Sequence, residues 1–447
     1  MHHHHGELQC NRDDDDEERR HFQQVCNSYQ QYATFHQVRE QGRNHRRERL
    51  LSSMCAVEEG PTTESLLQKL LSQQQQKKNN ELFCQATIRN QYFLDNVLKH
   101  CGAMTSQEVI RHKNAGAEVE WATEDQLSKI DSVLKSVFRD WSMEGRDERM
   151  IVYDKLLGAL EKYLPIRKSD AEINDSSDDL KNDNCNDRGP PRVAVPGSGL
   201  GRLAFEIYSK GYSCQGSDFS LPMLLASDFI LNGCGGRQYA ISPFLSETKN
   251  VKSLQDRLRT VVVPDITAVK LSNEGELAPD FTMLAGEFLS LYSHFLPGNR
   301  CVDDEKQAKF NAVVCSFFID TAPSLPHYLI TIWHMLENGG LFVNMGPLMW
   351  HWSGYGDVIP EDLNETTSNV EGDFISAKHK QRAVHLDQRY LQSVDFTWEE
   401  VKDLIVNCGF EILEEEFDIR TMYTSDTSSM KSVNYDCIFF VARKVVP

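Results

Sequence analysis

The chain has 447 residues, which predicts two to three structural units at roughly 150 residues a domain. Hydrophobic residues make up 40% and charged residues 25%, a balance that excludes wholesale disorder and fibrous repeats. Lysine and arginine number 47 against 66 aspartates and glutamates, and the resulting formal charge of -19 disfavours a nucleic-acid partner.

The apolar stretches are short for a membrane protein. The longest, Ala312 to Ile319, falls far below the roughly 20 residues that cross a bilayer, and it predicts a buried strand instead. No apolar signal region stands at the N-terminus, and the twelve cysteines form neither a CxxC pair nor a zinc-like cluster. We expect reduced thiols, no metal, no membrane contact, and a location in the cytosol with access to the nucleus.

The first third of the chain predicts helices. Residues 1–20 contain the charged run Asp13 to Glu18, which cannot bury a core, so we expect a disordered lead-in and order from His21. Apolar residues then recur at helical spacing, which defines residues 21–168 as an N-terminal helical region. They include Phe22, Val25, Tyr29, Tyr32, Leu66, Leu67, Leu70 and Leu71, and between Glu81 and Cys101 also Leu82, Phe83, Ile88, Tyr92, Leu94 and Val97.

Two local patterns refine this helical region. A helix is expected from Thr123 through Trp141. Thr123 is a suitable cap residue, and Glu124 and Asp125 place acidic side chains in the first turn. The basic stretch Arg39 to Arg49 has the spacing of a solvated helix face, which we favour over an RNA contact.

The composition changes at residues 169–188. This segment has seven acidic residues, many Asn and Ser, and few apolar side chains, so it predicts a disordered insertion or linker. After Pro190-Pro191, strands and helices alternate in the manner of a parallel sheet covered on both faces. Residues 189–447 therefore form a second, α/β domain.

A glycine-rich loop opens this domain. The apolar strand Val193 to Pro196 runs into Gly197, Gly199 and Gly201, and the helix Arg202 to Lys210 follows. Glycines allow a sharp turn and a close approach to a ligand, and the helix N-terminus offers unpaired N–H groups. The loop alone is also compatible with an ordinary tight turn.

The second strand ends near an acidic residue whose distance from the glycine loop is typical of a ribose-binding site. Tyr212 to Gly216 leads to Asp218, 21 residues after Gly197, where a carboxylate accepts hydrogen bonds from both hydroxyls of a ribose. The GxGxG form of the loop is common in S-adenosylmethionine-dependent methyltransferases, which this domain resembles. A nicotinamide dinucleotide is the lesser alternative.

The remaining elements have the order of that class. The strand Ala312 to Ile319 ends at Asp320, and a later helix is capped by Thr397 with Glu400 three residues on. The other predicted elements are a helix at Tyr328 to Leu336 and strands at Leu341 to Asn344, Glu411 to Phe417 and Tyr435 to Arg443. The last two strands are expected to form an antiparallel pair, as in the methyltransferase sheet.

Several longer stretches resemble the carnosine N-methyltransferase family. They are "HFQQVCNSYQQYATFH", "HRRERL", "FRDWSMEGRDER", "VAVPGSGLGRLAFEIYSKGYSCQGSDFS", "FFIDTA", "TIWHMLENGGLFVNMGPLMWHW" and "MYTSDTSSMKSVNYDCIFFVARK". They spread over nearly all of the chain outside the lead-in and the acidic insertion. "FFIDTA" and "GPLMWH" are not general methyltransferase features, which makes the combination specific.

The resemblance implies a Rossmann-like class I S-adenosylmethionine-dependent methyltransferase fold and methylation of the imidazole ring of carnosine, a histidine-containing dipeptide, to give anserine. It also implies a homodimer. The cofactor contacts that it implies are Arg139, Gly197, Gly199, Gly201, Asp218, Glu287, Phe288 and either Cys315 or Ser316. The substrate contacts that it implies are Asp320, His351, Tyr423 and Tyr435, with Asp320 as the catalytic residue.

The chain departs from the family at three of these places. Asp218 and Glu287 stand where the family commonly has Glu and Asp, so each keeps the charge and changes its reach by a methylene. Ser136, a turn before Arg139, takes the place of a longer polar residue.

The chemistry suits the residue types. A neutral imidazole is already a nucleophile, so the enzyme mainly has to orient its lone pair and exclude water. Asp320, at a strand end, can accept the N–H of the other ring nitrogen and stabilise the developing charge. Each residue also has an ordinary interpretation: Asp320 as a helix cap, His351 as a semi-buried histidine, the tyrosines as packing residues and Arg139 as a surface ion pair.

Two other functions stay open at this point. One keeps the fold and the cofactor and changes the acceptor to a protein histidine or another amine. The other is a non-catalytic cofactor-binding scaffold whose helical region recruits a partner.

Overall fold

A computed structural model describes residues 11–53, 73–114, 120–166, 189–268, 278–299, 308–353, 393–424 and 426–445. The acidic insertion at 169–188, the first ten residues and the leucine pattern of Leu66 to Leu71 lie outside this part of the chain. Within the described ranges, no helix has the length and apolarity to span a membrane. Those ranges also contain no group of three or more His, Cys, Asp and Glu side chains arranged to hold a metal ion.

The N-terminal helical region consists of five helices in the described residues. They are α1 (Asn11–Ser53), α2 (Gln73–His100), α3 (Ser106–Asn114), α4 (Glu124–Trp141) and α5 (Arg146–Tyr163). Helix α1 begins at Asn11, ahead of the start expected at His21, so residues 11–20 are helical and not part of a disordered lead-in. Thr123 caps α4 as expected, because its side chain accepts a hydrogen bond from the N–H of Gln126.

The basic stretch of the sequence lies on helix α1. Arg39 pairs with Glu124 at 3.1 Å, and Arg43 pairs with Glu40 one turn earlier on the same helix. These two pairs place Arg39 and Arg43 against acidic partners of the same chain.

The second domain contains a seven-stranded sheet. Its strands are β1 (Arg192–Pro196), β2 (Ser213–Asp218), β5 (Phe281–Ala285), β6 (Phe310–Ser316), β7 (Leu336–Gly346), β8 (Phe410–Met422) and β9 (Asn434–Lys444). Their order in the sheet is β5-β2-β1-β6-β7-β9-β8. The first five in sheet order are parallel, whereas β9 is antiparallel to both β7 and β8. This topology confirms the predicted Rossmann-like α/β fold and its antiparallel last pair.

Helices connect the strands, and a short hairpin stands outside the main sheet. The helices are α6 (Arg202–Ser209), α7 (Leu221–Asp228), α8 (Leu254–Arg257), α9 (Phe288–Tyr292), α10 (Leu325–Met335) and α11 (Trp398–Asn407). The hairpin pairs β3 (Tyr239–Ile241) with β4 (Val261–Val263).

The two faces of the sheet bury separate cores. Val193 and Val195 of β1 face one core, which also takes apolar side chains from α1, α2, α4, α5, α6 and α7. Ala194 points to the opposite core, which α9, α10 and α11 cover. Because successive side chains of a strand alternate between faces, the N-terminal helical region becomes one of the two layers over the sheet.

Candidate functional site

A cavity of about 290 Å³ lies at the carboxyl ends of β1, β2 and β6. In the sheet, β1 lies between β2 and β6, so the connections after β1 and β2 lead toward opposite edges of the sheet. Open α/β sheets bind ligands at such a switch in strand order. Most of the residues expected at the site line this cavity, namely Arg139, Gly197, Gly199, Asp218, Glu287, Phe288, Ser316, His351 and Tyr423.

The glycine loop provides the cavity with a close backbone surface. Gly197 and Gly199 have φ of 64° and 54°, in the left-handed region that favours glycine. A side chain at Gly197 would also collide with the ring of Phe318, since its Cβ would lie 2.4 Å from a ring carbon. The loop therefore requires glycine for its turn and for its packing.

Asp218 links this loop to the end of β2. Its Oδ2 accepts a hydrogen bond from the N–H of Gly199 and its Oδ1 from the N–H of Ser220, each at 2.8 Å. A carboxylate has about four lone-pair positions, so both oxygens keep room for a further donor such as a ribose hydroxyl. Burial raises the pKa of Asp218, and the backbone N–H groups offset only part of that rise.

Arg139 lies in the last turn of helix α4 and lines the same cavity. Its Nε and Nη2 donate to the Asp140 carboxylate at 2.6 and 2.8 Å, and its guanidinium lies 4.4 Å from the centre of the Tyr423 ring. Among the described residues, its third nitrogen, Nη1, is buried without a hydrogen-bond partner. This nitrogen is a donor suited to an anionic group of a ligand, such as a carboxylate.

Aromatic side chains continue from Tyr423 along the cavity. The ring of Phe317 lies 4.8 Å from that of Tyr423 and 6.0 Å from that of Tyr435. Phe317 has a φ of 51°, which is uncommon outside glycine, and its N–H donates to the Met345 carbonyl. Sequence reasoning missed Phe317, because a phenylalanine after an apolar strand usually belongs to the core.

Asp320 adjoins the cavity without lining it. The side chain is buried, its Oδ2 accepts from the N–H of Met349 at 3.1 Å, and its own carbonyl accepts from the N–H of His351. Its neighbour Thr321 lines the cavity. Burial raises the pKa of Asp320, while the Met349 N–H and His351 lower it by less. Helix α10 begins later, after Ser324, so Asp320 does not cap that helix.

The remaining expected residues divide between the cavity and the core. Ser316 lines the cavity, whereas Cys315 is fully buried in the core beneath α10, so of these two alternatives only Ser316 reaches the cavity wall. Gly201 forms the end of the loop and Tyr435 packs on Phe317, and neither is among the residues that line the cavity. Ser136 does line it.

Glu287 and Phe288 also have structural contacts. The Glu287 carboxylate caps α9, because Oε2 accepts from the N–H of Ser290 at 2.9 Å. The Phe288 ring lies against the rings of Tyr328 and Phe318, at 4.7 and 5.3 Å between centres. Both residues face the cavity from an element that their own contacts hold in place.

Known proteins resemble the chain over most of its length. A family model described as carnosine N-methyltransferase matches residues 117–446. The carnosine N-methyltransferase of Mus musculus is 27% identical over 357 residues, which cover 79% of this chain and 72% of the mouse protein. That of Schizosaccharomyces pombe is 32% identical over 320 residues, which cover 71% of each protein.

One of the similar solved structures is magnesium protoporphyrin IX methyltransferase from Synechocystis with bound SAH. It aligns with a TM-score of 0.31 and 10% identity, over 70% of this chain and 93% of that chain.

Proposed function

The chain belongs to the carnosine N-methyltransferase family, and we propose that it transfers the methyl group of S-adenosylmethionine to an imidazole nitrogen of carnosine, giving anserine. The observation that carries this proposal is one cavity that is lined by the glycine loop, Asp218 and Arg139 and also by His351 and Tyr423. A cofactor and an acceptor can therefore meet in one cavity, as a direct methyl transfer requires.

The residues of the cavity fit the cofactor. When bound, S-adenosylmethionine supplies an electrophilic methyl group attached to a positively charged sulfur. Asp218 would hold the ribose hydroxyls with its remaining lone pairs, and Gly197 would let the backbone approach the ligand closely. The unpaired Nη1 of Arg139 would hold the carboxylate of the methionine part.

The residues proposed to bind the substrate suit a neutral imidazole. Asp320 would accept the N–H of the non-reacting ring nitrogen and stabilise the positive charge that develops on the ring. His351 and Tyr423 would hydrogen-bond the dipeptide and help exclude water. The acceptor is an unprotonated imidazole, so none of these residues has to act as a strong base.

The test is incubation of the purified protein with S-adenosylmethionine and a panel of histidine-containing dipeptides. Mass spectrometry reports the gain of a methyl group, and nuclear magnetic resonance reports which ring nitrogen carries it. We expect methylated carnosine, and the Asp218→Ala variant serves as the control for cofactor dependence. Methylation of protein histidine alone would transfer the proposal to a macromolecular acceptor, and cofactor binding without turnover would support a scaffold instead.

We further propose that the enzyme works as a homodimer through its N-terminal helical region, in the cytosol and the nucleus, with no nucleic acid or membrane among its partners. The family resemblance supports the dimer, and the charge of -19 supports the absence of a nucleic-acid partner. Light scattering of the purified chain tests the dimer, and imaging of a tagged protein in cells tests the location.

A further inference from the structure

A buried carboxylate that does not line the cavity lies between two arginines. Asp265 follows strand β4 and pairs with Arg149 of α5 and with Arg202 of α6. The side chains are nearly inaccessible, with 3% of Asp265, 1% of Arg149 and 4% of Arg202 exposed. Because each buried charge needs a partner, Asp265 allows both guanidiniums to be present at this place.

The two arginines and Asp265 bind the end of the helix that carries Arg139. Arg149 Nη1 donates to the carbonyls of residues 139 and 142, at 3.1 and 2.6 Å, and Arg202 Nη1 donates to that of residue 140, at 3.0 Å. The N–H of Asp265 donates to the carbonyl of residue 141 at 2.9 Å. The last carbonyls of a helix lack partners within the helix, and this network supplies them.

The same network reaches the glycine loop. Trp141 Nε1 donates to the Leu200 carbonyl at 3.1 Å, and the Arg202 guanidinium lies 4.8 Å from the centre of the Trp141 ring. Arg202 is also the first residue of α6, directly after the loop. One buried cluster therefore fixes both the end of α4 that carries Arg139 and the glycine loop, and both line the cavity.

We propose that Asp265 is a positioning residue for S-adenosylmethionine: its charge holds Arg139 at the distance from the glycine loop that the cofactor requires. The inference rests on the proposed function, since it takes Arg139 and the loop as the two ends of one cofactor site. Arg139 belongs to the helical region and the loop belongs to the sheet domain, so a ligand that contacts both depends on how firmly they are joined. Asp265 is not among the residues that line the cavity.

The first test is Asp265→Asn, which keeps the shape of the side chain and removes its charge. We expect the Kd for S-adenosylmethionine, measured by calorimetry on the full chain, to rise about tenfold. At saturating cofactor, kcat should change little, because Asp320 has its own contacts with Met349 and His351 outside this network. If the folded variant binds the cofactor as tightly as the wild type, the inference is wrong.

A matched control separates positioning from stability. Glu40→Gln breaks another buried ion pair, between Glu40 and Arg257, whose side chains are 11% and 7% exposed and do not line the cavity. This variant should melt at a lower temperature and bind S-adenosylmethionine with unchanged affinity. A loss of affinity equal to that of Asp265→Asn would show a general effect of instability and would overturn the positioning role.

A milder variant serves if Asp265→Asn does not fold. Arg202→Lys keeps a positive charge beside Asp265 and removes the guanidinium, whose Nη1 donates both to the carbonyl of residue 140 and to Asp265. We expect weaker cofactor binding again, and unchanged affinity would contradict the inference. A wild-type chain that binds no S-adenosylmethionine would refute the proposed function instead, which keeps the two failures distinguishable.

Discussion

At the scale of single residues, Asp218 joins the glycine loop to the end of β2 through both of its carboxylate oxygens. The 21-residue spacing from Gly197 was enough to predict its place, because a short strand, loop and helix fix that geometry locally. Phe317 and Asp265 were not predictable in this way. Their partners lie far away in the sequence, and only the folded chain brings them together.

Removal of the Asp218 carboxylate should weaken the cofactor site. Asp218→Ala is expected to reduce S-adenosylmethionine binding by about 1–3 kcal/mol, because buried ribose hydroxyls lose a charged acceptor. Calorimetry measures the change, and Asp403→Ala, which removes an exposed carboxylate on α11, is the control. An unchanged affinity in a folded Asp218→Ala variant would assign the ribose contact to another acid.

The pH dependence of binding offers a second measurement on the same residue. Burial raises the pKa of Asp218, so its carboxylate takes up a proton at a higher pH than an ordinary aspartate does. A protonated carboxyl accepts fewer hydrogen bonds, and cofactor affinity should therefore fall as the pH is lowered through this raised pKa. In Asp218→Asn, which has no charge to lose, the affinity should be lower than that of the wild type at neutral pH and should depend less on pH.

Asp320 should affect the rate far more than the binding of the cofactor. If it stabilises the charge that appears on the ring, Asp320→Asn lowers kcat and kcat/KM together, by about 10²–10³. The affinity for S-adenosylmethionine should stay nearly constant. Steady-state kinetics with carnosine and calorimetry with the cofactor check the two halves, and normal turnover would leave Asp320 with a purely structural role.

Asp320→Asn should keep or increase the stability of the protein at neutral pH, although it lowers the rate. Since burial raises the pKa of Asp320 in the folded state, its contribution to stability is complete below the ordinary value of 3.8 and is lost as the pH rises through the raised pKa. Asparagine avoids this loss and still accepts the hydrogen bond of Met349. The variant should therefore melt at or above the wild-type temperature at neutral pH, and the advantage should disappear as the pH falls toward 3.8. A clear drop in melting temperature at neutral pH would contradict this assignment.

At the scale of elements, the parts of the fold that sequence predicted best have signals within a few residues. Thr123 and Thr397 cap helices α4 and α11, as predicted, and each forms a complete capping box. The hairpin β3-β4 and the edge strand β5 were missed. The hairpin strands have three residues each, and β5 is only half-buried, so neither shows a regular alternation of apolar and polar side chains.

The acidic insertion at 169–188 gives a prediction at this scale. Replacing it by a short flexible linker should leave turnover largely intact, because its composition is too polar to add much core and loop closure depends weakly on loop length. The measurement compares kcat and KM of the deletion variant with those of the full chain. A stable variant without activity would show that the insertion contributes to the site or contacts a partner.

At the scale of the whole molecule, the helical region and the sheet domain share one hydrophobic core. Trp141 of α4 and Leu156 of α5 are fully buried in the same cluster as Val193 of β1 and Val343 of β7. The hydroxyl of Tyr29 in α1 also donates to the Pro222 carbonyl in α7 at 2.7 Å. Composition predicted two regions, and their periodic patterns could not show that the apolar face of one covers the sheet of the other.

This shared core predicts that the two regions unfold together. Separating them would expose the apolar face of the sheet, including Val193 and Val195, together with the facing sides of α4 and α5. Unfolding in urea, followed by far-ultraviolet circular dichroism and by tryptophan fluorescence, should therefore give coincident transitions. A fragment of residues 189–447 should also fail to bind S-adenosylmethionine, because it lacks Arg139 and the cover of one sheet face. Two separate transitions, or a soluble fragment that binds the cofactor with normal affinity, would show that the sheet domain is stable and complete by itself.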